Sequence, residues 1–277
     1  MRSSVEQVSR PVGGLKLTND EFQKVRKIIH GYSGIFIQEG KEALVQSRLM
    51  KRVRKLGLSS FKEYLNYVDS DSSGEEFLAL VDVITTNKTN FFREAKHFDF
   101  IESRVLPELR GRSVKWWNAG CSTGEEPITT AITLLEAKQH TGWGSVKILA
   151  TDLSRDVLEV AKQGVYPASK MAGVPQDILR KYFSHDNGHF HVSNEIRKMI
   201  TYGRLNLMDR WPLKGPFNVI MCRNVMIYFN RQTQQELVAK FHQLLEPGGY
   251  LFLGHSESIP KENRSFVNLA PAVYQKR

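Results

Sequence analysis

Cysteine is almost missing from this chain. Cys121 and Cys222 are the only two in 277 residues, far apart in sequence, so neither a disulfide framework nor a cysteine-built zinc site is available. No uncharged apolar stretch approaches the roughly 18 residues of a membrane span, and residues 1–14 contain no apolar signal-peptide core. The expectation is a cytoplasmic protein, neither secreted nor membrane-spanning. The Gly-x-Gly-x-x-Gly and Gly-x-x-x-x-Gly-Lys-Ser/Thr patterns are absent too, which leaves the dinucleotide fingerprint and the phosphate-cradling loop without support. Low-complexity tracts and internal repeats are lacking, and 41% hydrophobic with 25% charged residues is the composition of a chain that folds.

The charge that is present falls unevenly. Lys and Arg number 39 against 29 Asp and Glu, a formal +10. Thirteen of those cations and six of the acids precede residue 69, so +7 of the excess lies in the first quarter. A basic end of this kind raises either nucleic acid or an acidic protein surface as a partner.

Residues 1–15 lack periodicity and are expected as a mobile tail, 16–88 as a helical N-terminal domain, and 89–277 as a second domain. Thr18 and Glu21 form a capping box, after which Phe22, Val25, Ile28 and Ile29 recur at helical spacing. A second helix carries apolar Val45, Leu49, Val53 and Leu56, while Arg48, Lys51, Arg52 and Lys55 fall together on another face. Residues 60–67 and 75–85 read as two more short helices. Beyond Arg93 strand, turn and helix alternate: strands at 114–118, 146–152, 217–222 and 250–254, with helices at 125–139, 154–163 and 231–245. Such alternation predicts an α/β fold, a mostly parallel sheet with helices on both faces. Residues 182–206 break the rhythm, and Asn187-Gly188 there suggests an inserted antiparallel β-subdomain.

The turn after the first strand, Gly120-Cys-Ser-Thr-Gly124, brings backbone N–H groups toward the crevice where open α/β sheets bind ligands. It runs into Glu125-Glu126 where a phosphate loop would have lysine. Carboxylates there suit the helix dipole, but they also receive an ammonium or hydroxyl group and repel a pyrophosphate. Asp152 ends the second strand, where a carboxylate can accept two hydrogen bonds from a ribose diol. Two anionic positions flanking a glycine turn are what S-adenosylmethionine calls for, its amino, sulfonium and ribose groups being positive or hydrogen-bond donating.

Four motifs in order carry a resemblance: Thr86-Asn-Lys-Thr-Asn-Phe-Phe-Arg-Glu94, Ser122-Thr-Gly-Glu-Glu-Pro127, Ala150-Thr-Asp152 and Cys222-Arg-Asn-Val-Met-Ile-Tyr-Phe229, with Gly254-His-Ser-Glu257 following. The chain resembles the CheR-type chemoreceptor glutamate methyltransferases from about Thr18 to Tyr274. The resemblance implies a class I, Rossmann-like methyltransferase domain at 89–277 and S-adenosylmethionine as cofactor, with S-adenosylhomocysteine as product and no metal. It implies transfer to receptor glutamates, giving methyl esters, in chemotaxis adaptation. Cofactor contacts are carried onto Asn87, Thr89, Arg93, Asp152, Asn206, Leu207, Arg223, Asn224 and, of the adjacent pair, Glu126, with Glu125 as the alternative. Arg93 can also pair with a carboxylate of the substrate, and Tyr228 can orient the acceptor carboxylate. These two are the candidate catalytic residues.

The implied partner is the glutamate-bearing methylation helix of a chemoreceptor, to which the row Arg48, Lys51, Arg52, Lys55 is complementary. The membrane would then be met only through receptors, at whose clusters the protein is expected. Some family members also bind a receptor C-terminal pentapeptide along the β-subdomain's hairpin edge. Here the hairpin is short, and weak or absent binding is expected. A nucleic-acid methyltransferase would explain the charge as well, but Asn224-Val-Met-Ile227 stands where an exocyclic-amine enzyme carries Asn/Asp-Pro-Pro-Tyr/Phe. No nucleic-acid partner is therefore expected.

Overall fold

The computed structural model describes residues 14–141 and 144–277, so the tail expected over 1–15 lies, but for its last two residues, outside them. The chain forms two compact units, one running through Gly31 and again from Ile37 to Thr85, the other comprising Tyr32–Phe36 and Thr86–Arg277.

The first unit is helical: α1 (Asn19–Ser33), α2 (Glu42–Lys55), α3 (Phe61–Ser70) and α4 (Glu75–Ile84). Thr18 and Glu21 cap α1 reciprocally, each backbone N–H donating to the other's side chain at 2.8 and 3.3 Å. Ser60 caps α3 by accepting from Glu63 N at 3.1 Å. Phe22, Val25 and Ile29 of α1, Val45, Leu49 and Val53 of α2, and Leu80, Val81 and Ile84 of α4 are buried, each contributing about 1.5–3 kcal/mol relative to exposure.

The second unit carries helices α5 (Lys96–Phe100), which continues through the π turn Ile101–Val105 into α6 (Leu106–Glu108), then α7 (Glu125–Thr141), α8 (Arg155–Gln163), α9 (Gln176–Tyr182), α10 (Asn194–Met199) and α11 (Arg231–Leu244). Its strands are β1 (Val114–Ala119), β2 (Val146–Asp152), β3 (Val165–Pro167), β4 (Phe183–Asp186), β5 (His189–Val192), β6 (Ile200–Arg204), β7 (Phe217–Cys222), β8 (Leu245–Leu253), β9 (Phe266–Ala270) and β10 (Val273–Lys276). The large sheet has the order β6-β2-β1-β7-β8-β10-β9, parallel from β6 to β8, with β10 and β9 antiparallel at one end. Central strands are buried on both faces, and successive residues serve opposite cores. Trp116, Val219, Met221 and Phe252 face one cluster; Trp117, Ile220, Cys222 and Leu251 face the other. Trp117 keeps its indole N–H satisfied by Thr151 Oγ1 at 2.9 Å.

The inserted subdomain expected at 182–206 is differently composed. Its three-stranded antiparallel sheet, in the order β3-β5-β4, recruits Val165–Pro167 from before that span, whereas Ile200–Arg204 leaves it and pairs parallel with β2. The physical reason is register: Ile148↔Ile200 through Asp152↔Arg204 extends the large sheet by a full strand, which the hairpin pattern at Asn187-Gly188 conceals. Both turn residues have positive φ, 46° and 77°, as a two-residue hairpin with the twist of its strands requires.

Tyr32–Phe36 is bound within the second unit. Ile35 bridges Phe229 antiparallel, Phe36 N donates to Tyr228 O at 2.7 Å, and Asn206 Nδ2 donates to Tyr32 O at 2.7 Å.

Candidate active site

β1 and β7 are neighbours from which the sheet's connections depart in opposite directions, so their carboxyl ends form the switch-point crevice. After β1 the chain turns at Gly120, whose φ is 81° and where a Cβ would come 2.3 Å from Val225 Cγ2. Only glycine fits between the two loops. Gly120 N and Cys121 N both donate to Thr151 O, at 2.8 and 2.9 Å, which fastens the turn to the end of β2. Asp152 closes it: Oδ2 accepts from Ser122 N at 2.8 Å and Oδ1 from Ser154 N at 3.0 Å.

The adjacent glutamates have separate environments. Glu125 is fully buried, taking Lys170 Nζ at 3.0 Å and Thr123 Oγ1 at 2.6 Å. Glu126 accepts from Asn118 Nδ2 at 2.8 Å and from Arg223 Nη1 at 3.1 Å. Burial pushes the Glu126 carboxyl above the ordinary range, against the pull of Arg223 and the Asn118 amide.

Arg223, just past the end of β7, has a side chain only 1% exposed. Besides Glu126 it holds Glu94 Oε2 through Nη2 at 3.0 Å and Nε at 3.3 Å, donates to Arg93 O, and lies over the Phe98 ring at 5.5 Å. Glu94 Oε1 accepts from Asn224 Nδ2 and from His255 N, both at 3.2 Å. Burial works against the ionised form of Glu94, but Arg223, the His255 N–H and Asn224 outweigh it and hold the carboxyl below the usual range. His97 lies alongside, its Nδ1 3.6 Å from Glu94 Oε2 and its Nε2 3.3 Å from Pro271 O. Burial, followed by the Arg223 charge, pushes His97 down to about 4, so the ring is neutral near pH 7. Glu94, His97 and His255 offer one ligand atom each within 4.8 Å of one another. The four donors already on Glu94 fill that carboxylate, while the buried His97 Nδ1 has no hydrogen-bond partner.

Asn224 has φ 58° and is held from two sides, its amide by Glu94 and its N–H by Glu257 Oε2 at 2.9 Å. Glu257 is buried and also accepts from Ile227 N at 3.0 Å and Gly254 N at 2.5 Å. Burial raises its carboxyl despite those bonds. This anchors the short 3-10 turn Met226–Tyr228, on which Tyr228 stands half-buried.

Other expected site residues are brought to the same region in different ways. Asn87 O accepts from Ser122 Oγ at 3.0 Å, Thr89 O from Lys170 Nζ at 3.3 Å, and Arg93 Nη1 donates to Lys88 O at 3.0 Å. The Asn206 amide is engaged locally, donating to Tyr32 O and taking Met208 N at 3.0 Å. Leu207 is buried, and its carbonyl accepts from Trp211 Nε1 at 3.2 Å. Cys121 and Cys222 are buried thiols with their pKa raised by desolvation.

The row on α2 is not one face of free cations. Arg52 pairs through two nitrogens with buried Glu76 of α4, and Arg48 donates to Ile84 O, whereas Lys51 and Lys55 are exposed. Two arginines one helical turn apart thus serve the internal packing of α4.

The carboxylates of Asp152 and Glu126 give the crevice a polarity. Asn224 Nδ2 gives one of its two N–H groups to Glu94; Asp152 and Glu126 accept; and Asn206 Nδ2 donates to Tyr32 O and, at 3.4 Å, to Asp209 Oδ1. The partner such groups suit is rich in donors and positive charge.

Residues 87–274 match the CheR methyltransferase, SAM binding domain, and residues 20–85 the CheR methyltransferase, all-alpha domain. The chemotaxis protein methyltransferase of Borreliella burgdorferi is 38% identical over 272 residues, covering 95% of this chain and 96% of its own. A probable chemotaxis protein methyltransferase of Rhizobium etli is 40% identical over 258 residues, 90% of this chain and 96% of that one. The Escherichia coli chemotaxis protein methyltransferase is 36% identical over 265 residues, with 94% and 92% covered. Both units are thus matched in order and nearly end to end, and the chain belongs to the CheR methyltransferase family, S-adenosylmethionine-dependent enzymes of class I fold.

Proposed function

We propose that this enzyme methylates glutamate side-chain carboxylates of chemoreceptors, forming methyl esters and S-adenosylhomocysteine. The observation that carries the cofactor side of this reading is the pair of carboxylates, Asp152 and Glu126, that flank the glycine turn. When bound, S-adenosylmethionine supplies an electrophilic methyl group on a sulfonium leaving group. Asp152 takes the ribose diol, Glu126 the amino group, and Asn224 Oδ1 a further donor. Asn87, Thr89 and Arg93 supply the wall contributed by the segment before α5, and Asn206-Leu207 the wall beside β6.

The acceptor glutamate has an ordinary pKa of about 4.3 and is already an anion near pH 7, so no general base is required. What the chain supplies is alignment and exclusion of water. Tyr228 donates one hydrogen bond to the acceptor carboxylate and Arg93 offers it a cation. Lys51 and Lys55 receive the acidic methylation helix, with Arg48 and Arg52 behind them. No helix among the described residues is long and apolar enough to cross a membrane, which accords with reaching receptor clusters through the receptors themselves. β4, at one edge of the small sheet, has four residues, short for strand addition of a receptor C-terminal pentapeptide.

The deciding experiment is incubation with radiolabelled S-adenosylmethionine and receptor membranes, then mild alkali. Carboxyl methyl esters release volatile methanol. Label that stays in protein after alkali, or that enters added RNA, would exclude this reading.

A further inference from the structure

His97 is a buried titratable group that the methyl transfer leaves without a task. Its ring is 2% exposed, packed edge-on against Phe252 at 5.5 Å, and its Nε2 lies 3.3 Å from Pro271 O. A carbonyl only accepts, so that contact places the ring proton on Nε2 and leaves Nδ1 as a bare lone pair. This Nδ1 is buried with no hydrogen-bond partner. An acceptor left in that state costs about 1–3 kcal/mol.

Nδ1 faces further ligand atoms. Glu94 Oε2 stands 3.6 Å from it, and the His255 ring meets the His97 ring at a centroid separation of 4.8 Å and an angle of 81°. One ligand atom from each of the three residues falls within 4.8 Å of the other two. Two ligands on a tetrahedral zinc ion, with bonds of about 2.0–2.2 Å, stand about 3.4 Å apart, close to the separation of Nδ1 and Oε2. His255 is exposed, so its ring can turn to close the remaining distance, and its backbone N–H on Glu94 Oε1 at 3.2 Å keeps it beside the group. A histidine whose far nitrogen donates to a backbone carbonyl is also how a metal ligand is held in one tautomer.

We propose that His97 Nδ1, His255 and Glu94 Oε2 form a binding site for a transition-metal cation of the zinc class, one that fastens the first turn of α5 to the loop after β8. Two imidazoles and one carboxylate select such an ion over magnesium or calcium, which call for a shell of oxygens. Oε2 already holds Arg223 through Nη2 at 3.0 Å and Nε at 3.3 Å, and the ion takes the place of the longer bond. That exchange and the Arg223 charge both oppose the ion, which sets the affinity in the micromolar range. A fourth position is left for solvent.

The test is calorimetric titration of the full chain with zinc chloride in a non-chelating buffer, with thermal melts alongside. The wild type should take up one equivalent with a Kd of about 10 μM or below, and magnesium should give no heat. Because the site exists only in the folded chain, zinc should also raise the melting temperature. His255→Ala removes an exposed ring and should raise the zinc Kd at least about tenfold, abolishing the shift in melting temperature. His97→Gln, which can keep a donor toward Pro271 O without the Nδ1 lone pair, should do the same. Replacing His185, His189 and His191 of the β4–β5 hairpin together with alanine should change neither readout. No zinc uptake by the wild type, uptake unmoved by His255→Ala, or uptake lost with the hairpin variant would each overturn the proposal. Should His97→Gln fail to fold, as read by circular dichroism, His255→Ala decides alone.

Discussion

Asn224 and Glu257, 33 positions apart, are joined by a hydrogen bond of 2.9 Å from backbone N–H to carboxylate, and the same carboxylate takes the N–H groups of Ile227 and Gly254. One buried side chain therefore sets the loop that carries Asn224 and Tyr228. Glu257→Ala leaves three N–H donors without a partner, each worth about 1–3 kcal/mol when buried. Denaturant unfolding should show a loss of about 3 kcal/mol or more, and Glu257→Gln, which keeps one good acceptor oxygen, a smaller one.

Asp152 has two tasks, fastening the glycine turn and accepting from the cofactor. Asp152→Asn should preserve an acceptor oxygen toward one of Ser122 N and Ser154 N but weaken S-adenosylmethionine and S-adenosylhomocysteine alike, by about 1.5–3 kcal/mol, the scale of a hydrogen bond to a charged group. Calorimetry on both ligands checks it. Unaltered titrations would remove Asp152 from the binding site.

On α2 the four cations should separate into two phenotypes. Lys51→Ala with Lys55→Ala should raise the KM for receptor while leaving the melting temperature and the cofactor Kd alone, and added salt should mimic it, since exposed charges are screened over about 8–10 Å. Arg52→Ala strands Glu76, which is 6% exposed, and should cost about 2–3 kcal/mol in stability, below the roughly 3–5 of a fully buried pair because Arg52 keeps some solvent.

Glu126 should give cofactor binding a pH dependence. Its carboxyl is raised by burial, so the folded protein binds this proton more tightly than the unfolded chain, and its contribution to stability is lost as pH rises through the raised value. A cationic ligand needs the ionised form. Affinity should consequently fall as pH drops through a point above the ordinary carboxylate range, with proton release on binding visible as buffer-dependent heat. Glu126→Gln should weaken binding and flatten that limb.

A free peptide matching a receptor C-terminal pentapeptide should bind weakly or not at all, because the hairpin of β4 and β5 turns in two residues and offers a four-residue edge. A dissociation constant at or below about 10 μM by calorimetry would show that the short edge suffices.

Periodicity and turn chemistry carry much of this fold. The capping box at Thr18 and Glu21, the apolar row of α2, and β1, β2, β7 and β8 are all evident as patterns in the chain, because each depends on neighbours within a few residues. Two kinds of feature are not. β6, β9 and β10 are short and only partly buried, with burial patterns that look like loop or hairpin until their partners are known. Charged residues that face inward are also invisible: nothing local distinguishes Arg52, which pairs with Glu76, from Lys51 beside it. Glu94 and Glu257 stand in recognisable motifs, yet their partners lie 129 and 33 residues away respectively. A buried carboxylate reveals its use only when its donors are in place.

The placement of Tyr32–Phe36 bears on how such a chain can be inherited. Five residues encoded in the middle of the helical segment pair with Phe229, Tyr228 and Asn206. A recombination event at Thr85, where the first unit ends in sequence, would graft one parent's Tyr32–Phe36 onto another parent's loops at 206 and 228–229. Viable chimaeras of two relatives should therefore be those in which these five positions and their partners already agree, or in which the crossover exchanges both together.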